Sequence, residues 1–64
     1  MKNYTLKSLR VKNGMRQQDL AKLIGIPATT YSSKENGTRK FTIEEAVKIS
    51  DIFKCDIREI FLTT

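Results

Sequence analysis

The chain has no histidine and a single cysteine, Cys55, among its 64 residues. One thiol cannot form an intramolecular disulfide, and without histidine a zinc site lacks its usual ligands. No metal and no cofactor is expected. Long apolar runs are also missing. No stretch approaches the ~20 residues of a membrane span. No signal-peptide pattern opens the sequence, so no membrane partner and a cytoplasmic location are expected. Proline occurs once, as Pro27, and no Pro/Gly linker, repeat or low-complexity segment interrupts the chain. Residues 1–64 therefore read as one small domain, with no room for a separate catalytic or effector domain. The absence of histidine, of a metal set and of paired acids near a pocket argues against an enzyme.

What is present is charge, unevenly placed. The apolar content of 39% and charged content of 30% are those of a soluble globular protein. A chain this short buries only about 60% of its unfolded surface, so its core is small. The net charge is +5. Residues 1–42 hold nine Lys/Arg against two acids, Asp19 and Glu35, giving +7; residues 43–64 hold three against five, giving −2. A solvated basic face is the plain reading of such a count. Polarisation to one end also fits a nucleic-acid partner, because phosphate neutralisation supplies most non-specific affinity.

Along the chain, Met1 to Tyr4 read as a lead-in, with Tyr4 packed on the body. Thr5 is a plausible N-cap for a helix over 6–13, whose Leu6 and Leu9 share a face. Gly14 ends it, and Met15 is an apolar residue of the connection. A second helix over 17–24 has a poor cap in Arg16 but Asp19 in its first turn, where a carboxylate suits the helix dipole. Leu20, Leu23 and Ile24 form its apolar stripe, and small Ala21 admits a close crossing by the next helix. Gly25 tolerates the left-handed conformation at a helix end. Pro27 fits a first-turn position, because its missing N–H would be unbonded there anyway. A third helix over 28–36 stops at Gly37. Thr38 to Phe41 form a basic loop, with Phe41 turned to the core. Thr42 and Glu45 make a capping box for a fourth helix over 43–53. Ile43, Ala46, Val47, Ile49, Ser50 and Phe53 give it a core stripe. Cys55 reads as a small buried hydrophobe. Asp56 can cap a fifth helix over 57–62. The expected fold class is all-α, five helices, with a helix-turn-helix at the second and third.

The third helix is the informative one. At about 100° per residue, Ala28, Thr29, Ser32, Ser33 and Asn36 fall on one arc. Pro27, Thr30, Tyr31 and Lys34 fall opposite, with Tyr31 the only large anchor. So little apolar area cannot be buried on two sides. The helix must lie at the surface with its small polar face free, a shape that suits a DNA major groove about 12 Å wide. An ordinary exposed helix is the alternative.

These residues resemble the phage repressor/Cro type of helix-turn-helix, the XRE family. The resemblance runs from about Leu6 to Phe61. It is carried by Gln17, Asp19, Leu20-Ala21, Gly25-Ile26 and Glu35-Asn36-Gly37, then TIEEAVKISDIF and CDIREIF. It implies a compact lambda-repressor-like domain that binds double-stranded DNA and regulates transcription, typically as a repressor. The third helix would be the recognition helix, with base contacts from Ala28, Thr29 and Ser33 and with Thr30 and Ser32 beside them. Gln17 would contact phosphate and buttress that helix. Asn36 and Thr38, Arg39 and Lys40 would touch phosphate. Arg10 and Glu35 match a pair that bridges the first helix to the end of the third, with Arg10 also aimed at the backbone; the plain alternative is a surface contact worth about 0–1 kcal/mol.

Three positions depart from the pattern. Arg16 replaces the usual Ser/Thr cap, and it either reaches a phosphate or is solvated. Pro27 replaces a Ser/Thr, removing a side-chain cap and any base contact from that position. Lys34 replaces an inward apolar residue; either its amine snorkels out over a buried stem or the helix is less firmly anchored. With no bidentate Arg, Gln or Asn on the reading face other than Asn36, direct readout should be modest, and DNA shape and apolar contact should carry much of the specificity. One domain reads half an operator, so a homodimer is expected. Val47, Ile52, Ile57, Ile60, Phe61 and Leu62 are its candidate interface, although the core needs some of them. The competing reading is an antitoxin-type or other protein-interaction module, with an anti-repressor or toxin as partner. No small-molecule ligand is expected.

Overall fold

A computed structural model describes residues 4–61 of the chain, with side chains from Leu6 onward. Five helices follow one another: α1 (Tyr4–Lys12), α2 (Gln17–Ile24), α3 (Ala28–Glu35), α4 (Ile43–Phe53) and α5 (Ile57–Phe61). There is no strand among the described residues. The fold is all-α, as expected. Because α1 begins at Tyr4, Thr5 lies inside the helix and is not its N-cap. The expected packing of the Tyr4 side chain and the interface role of Leu62 lie outside the described residues.

Each helix contributes to one core of Leu6, Leu20, Ala21, Ile24, Tyr31, Ile49 and Ile60. Tyr31 is completely buried at its centre. Its ring meets Phe41 edge-on at 5.9 Å, and Phe41 meets Phe61 at 5.3 Å. This aromatic chain fastens the α3–α4 loop and α5 to the recognition-helix candidate, in the tilted geometry that ring quadrupoles favour. Met15, Ile26, Phe53 and Cys55 pack at its margin.

Two apolar stripes differ from expectation. Leu23 is 58% exposed, because α2 turns Leu20, Ala21 and Ile24 inward. Ala21 faces the core, so the buried arc shifts away from Leu23, about 60° beyond Leu20 on the other side. On α4 the inward line is Ala46, Ile49 and Phe53, while Ile43 is 82% and Val47 47% exposed. These two sit one turn apart on the outward face. Ile60, expected at a partner interface, belongs to the core at 1% exposure. It is the residue by which five-residue α5 is held, so it has no side chain left to offer a partner.

The ends of α4 and the start of α5 follow their sequence signals except at Lys54. Thr42 Oγ1 accepts from Glu45 N–H, and the Glu45 carboxylate accepts from Thr42 N–H. The Asp56 carboxylate accepts from Arg58 N–H at the start of α5. Lys54 ends α4 in the left-handed region at φ 57° without being glycine. Its neighbour Cys55 donates its N–H to Ser50 O, while Ser50 Oγ donates back to Cys55 O. The turn is fixed by those bonds and not by the preference of Lys54 itself. Lys54→Gly should therefore raise stability by about 1 kcal/mol, since a non-glycine residue in this region costs roughly 1–2 kcal/mol. Urea unfolding of the two proteins checks this; an unchanged or lower midpoint would contradict it.

Candidate nucleic-acid interface

The turn between α2 and α3 is built by glycine. Gly25 sits at φ 79° and ψ 32°. Ile26 N–H reaches back to Ala21 O at 3.0 Å and Gly25 N–H to Lys22 O at 3.3 Å, the paired bonds of a Schellman motif. Pro27 follows in extended conformation as the N-cap position of α3, one residue ahead of the first-turn place expected of it. Its carbonyl accepts from Tyr31 N–H, but no side chain caps the helix.

The seat of α3 is polar. The Glu35 carboxylate is buried and takes four hydrogen bonds. Arg10 Nε donates to Oε2 at 2.9 Å and Arg10 Nη2 to Oε1 at 3.0 Å. Tyr31 Oη donates to Oε2 at 2.5 Å and Gln17 Nε2 to Oε1 at 3.1 Å. Arg10 Nη1 donates to Met15 O at 2.8 Å, which ties in the α1–α2 connection. So α1, the start of α2 and the end of α3 meet on one carboxylate. Burial pushes Glu35 up, but the bonds from Arg10, Tyr31 and Gln17 outweigh it and hold the carboxyl below its ordinary 4.5. Burial and the Glu35 hydrogen bond push the Tyr31 phenol well up, so it stays a donor.

The expected bridge between Arg10 and Glu35 is present, buried and two-pronged, and the surface-contact alternative is excluded: the side chains are 8% and 5% exposed. The expectation that Arg10 is aimed at the DNA backbone is corrected. The guanidinium faces inward, committed to Glu35 and Met15, and is not placed to meet a phosphate. Lys34 is likewise buried, and its amine does not snorkel out. It donates to Glu45 Oε1 at 2.5 Å and lies 6.0 Å from the Phe41 ring centre. Glu45 is thereby shared between the α4 cap and α3. Burial raises the Glu45 carboxyl, yet Lys34 and the Thr42 bonds bring it below its ordinary value. The open question about anchoring is answered by this second strut. No buried side-chain nitrogen or oxygen lacks a partner among the described residues.

The opposite face of α3 is open. Ala28, Thr29 and Asn36 are exposed; Thr30, Ser32 and Ser33 are half-buried. The hydroxyls of Thr29, Thr30, Ser32 and Ser33 have no hydrogen-bonding partner among the described residues. Asn36 is less free. Its Oδ1 accepts from Thr38 N–H at 3.0 Å and from Thr38 Oγ1 at 2.7 Å. This Asx-type turn passes the chain through Gly37 at φ 91°, and Thr38 and Arg39 N–H both close on Ser33 O. The signal was in the sequence, since Asn commonly bonds the backbone two residues on.

Beyond this turn Arg39 and Lys40 are exposed and lack a carboxylate partner among the described residues. Gln17 is half-buried at the start of α2 and does buttress α3, through Glu35. Arg16 is exposed, but neither alternative read for it is complete: its guanidinium pairs with Asp19, and the Asp19 carboxylate accepts from Arg16 N–H. Ala28, Thr29, Ser32 and Ser33 thus share one arc of α3 that is exposed or half-buried, Thr30 lies on the side of Tyr31 and Lys34, and Asn36, Thr38, Arg39 and Lys40 follow in the chain.

A helix-turn-helix family model matches residues 6–60. The chain belongs to the XRE family of helix-turn-helix DNA-binding regulators. Two curated relatives, both uncharacterized HTH-type transcriptional regulators of Archaeoglobus fulgidus, are similar to it. One is 32% identical over 57 residues, covering 89% of this chain and 81% of its own. The other is 33% identical over 57 residues, covering 89% and 80%. No solved structure matches the chain significantly.

The XRE-family helix pair here depends on Glu35 being charged. Glu35→Gln leaves the Arg10 guanidinium buried without its counter-charge and should cost about 3–5 kcal/mol in urea unfolding. The pH dependence has a definite sign. The folded carboxyls of Glu35 and Glu45 lie below their ordinary 4.5. Their contribution is complete above that value and is lost as pH falls through the folded values. The acid loss of stability below about pH 4.5 should be shallower in Glu35→Gln than in the parent. Equal slopes would show that the network does not carry it.

Proposed function

We propose that this chain is a sequence-specific, double-stranded DNA-binding transcriptional regulator of repressor type that occupies an operator as a homodimer. The observation that carries the reading is the unpartnered small face of α3, held at a fixed angle by Glu35 and Lys34 and ended by exposed Arg39 and Lys40. On this reading α3 enters the major groove, with Ala28, Thr29 and Ser33 at base edges and Thr30 and Ser32 alongside. Gln17, Thr38, Arg39 and Lys40 fix the register on phosphates, with Asn36 contributing through its amide nitrogen. Arg16 joins them only by giving up Asp19. The whole chain acts as one domain, in the compartment that holds the DNA.

Arg39→Ala and Lys40→Ala should weaken binding to every duplex alike. Each should reduce the slope of log affinity against log salt by about 0.9, one phosphate's worth. Filter binding or mobility shift at several salt concentrations measures this. Failure of the parent protein to bind any random-sequence duplex, even at low salt, would remove the DNA reading.

For the dimer, the outward α4 face supports Val47, with Ile43 beside it. Ile52, Ile57 and Phe61 are half-buried, so each offers only part of its surface. Val47→Glu should leave the monomer folded and lower the two-to-one stoichiometry on a symmetric site, as read by sedimentation. Unchanged stoichiometry would place the interface elsewhere. The same exposed pair, Ile43 and Val47, is what favours the second reading, a protein-interaction module with a toxin or anti-repressor as partner.

A further inference from the structure

We infer that the tip of α3 selects its site chiefly by the C5-methyl groups of thymine, with Pro27, Ala28 and Thr29 as the specificity-determining residues. The inference rests on the DNA-binding reading above and concerns which chemical feature of the duplex that site reads. Pro27, Ala28 and Thr29 are consecutive and all exposed. They present a pyrrolidine ring, a methyl group and a threonine γ-methyl at the leading end of the helix, so Pro27 offers an apolar surface in place of the base contact expected to be lost there. Thymine is the only standard base that shows a methyl group in the major groove.

The remaining groups on the face discriminate poorly. Strong base choice comes from side chains that offer two hydrogen bonds at once, such as Arg on guanine or Asn and Gln on adenine. Among residues 28–36 there is no arginine and no glutamine, and Lys34 is buried against Glu45. Asn36 is the only amide, and both bonds from Thr38 fall on its Oδ1. It therefore keeps a donor but has its acceptor engaged. The free hydroxyls of Thr29, Ser32 and Ser33 donate or accept alike, so they suit several bases. Apolar contact at the tip is the selective element that remains.

The test begins with duplexes selected from a random pool by the full chain. Each selected thymine is then replaced singly by deoxyuridine, which keeps every hydrogen-bonding group and removes the methyl. Replacement at contacted positions should weaken binding about four-fold each, the value of one buried methyl group. Replacement in the flanks should change nothing. Thr29→Ser keeps the hydroxyl and loses the methyl, and Pro27→Ser removes the ring while adding a cap. Both variants should fold, and both should bring the thymine-to-uracil ratio toward one at the positions they touch. Equal affinity for thymine and uracil duplexes overturns the inference while leaving DNA binding intact. A uracil effect of the same size in both variants assigns it to DNA shape and also overturns the inference. Recovery of no duplex at all overturns the DNA reading and this inference together.

Discussion

The buried carboxylate of Glu35 is the interaction on which the rest of this structure depends. Four donors from Arg10, Tyr31 and Gln17 converge on it from three helices. The need arises from α3 itself. That helix has one large apolar side chain to bury, Tyr31, and apolar packing alone sets angles loosely because it is non-directional. Hydrogen bonds to a fixed carboxylate restrict both tilt and rotation. Lys34 adds a second restraint from the other side through Glu45. Buried ion pairs contribute little net stability over a well-packed apolar core, because desolvation offsets attraction. What they supply here is a defined orientation, at the risk of a large loss if one partner goes.

The same networks change what the net charge means. The basic half of the sequence reads as +7, a strong electrostatic footprint. Arg10 and Lys34 are spent inside the protein, and Arg16 is held by Asp19. The exposed cations nearest in sequence to the α3 face are Arg39 and Lys40, which follow its last turn. Two exposed cations therefore follow the last turn of the helix, while its leading residues, Pro27 to Thr30, are uncharged. On the DNA reading, that division separates the parts that set affinity from those that set choice.

Much of this fold was legible in the residues, and the failures share a cause. Gly25 and the Thr42–Glu45 box located helix ends correctly, because capping is local chemistry. The free arc of α3 was legible for a similar reason: one tyrosine among small residues leaves little choice of inward face. Leu23 and Ile43 were misplaced, and Val47, read both as core and as interface candidate, lies outward, because α2 and α4 each carry two apolar lines and periodicity does not say which one meets the core. Lys34 was placed with its amine at the surface because a buried cation makes sense only beside its partner, and that partner, Glu45, lies 11 residues away. The Arg10–Glu35 pair was legible only through the resemblance, since its members lie 25 residues apart. The left-handed turn at Lys54 had no glycine to announce it and is imposed by the bonds around Ser50.

The rigid seat and the short reading face belong together. A recognition helix with arginines or glutamines can reach base edges from a range of tilts, since long side chains adjust by changing rotamer. Alanine, serine and threonine have one adjustable torsion or none. On the DNA reading, the backbone of α3 must itself come close to the bases, and a small error in tilt lifts the whole face out of contact. The angle set by Glu35 and Lys34 then acts directly on sequence choice, although neither side chain is at the open surface. It also passes part of that choice to the duplex, because only DNA whose groove admits the helix at that fixed depth is read without deformation.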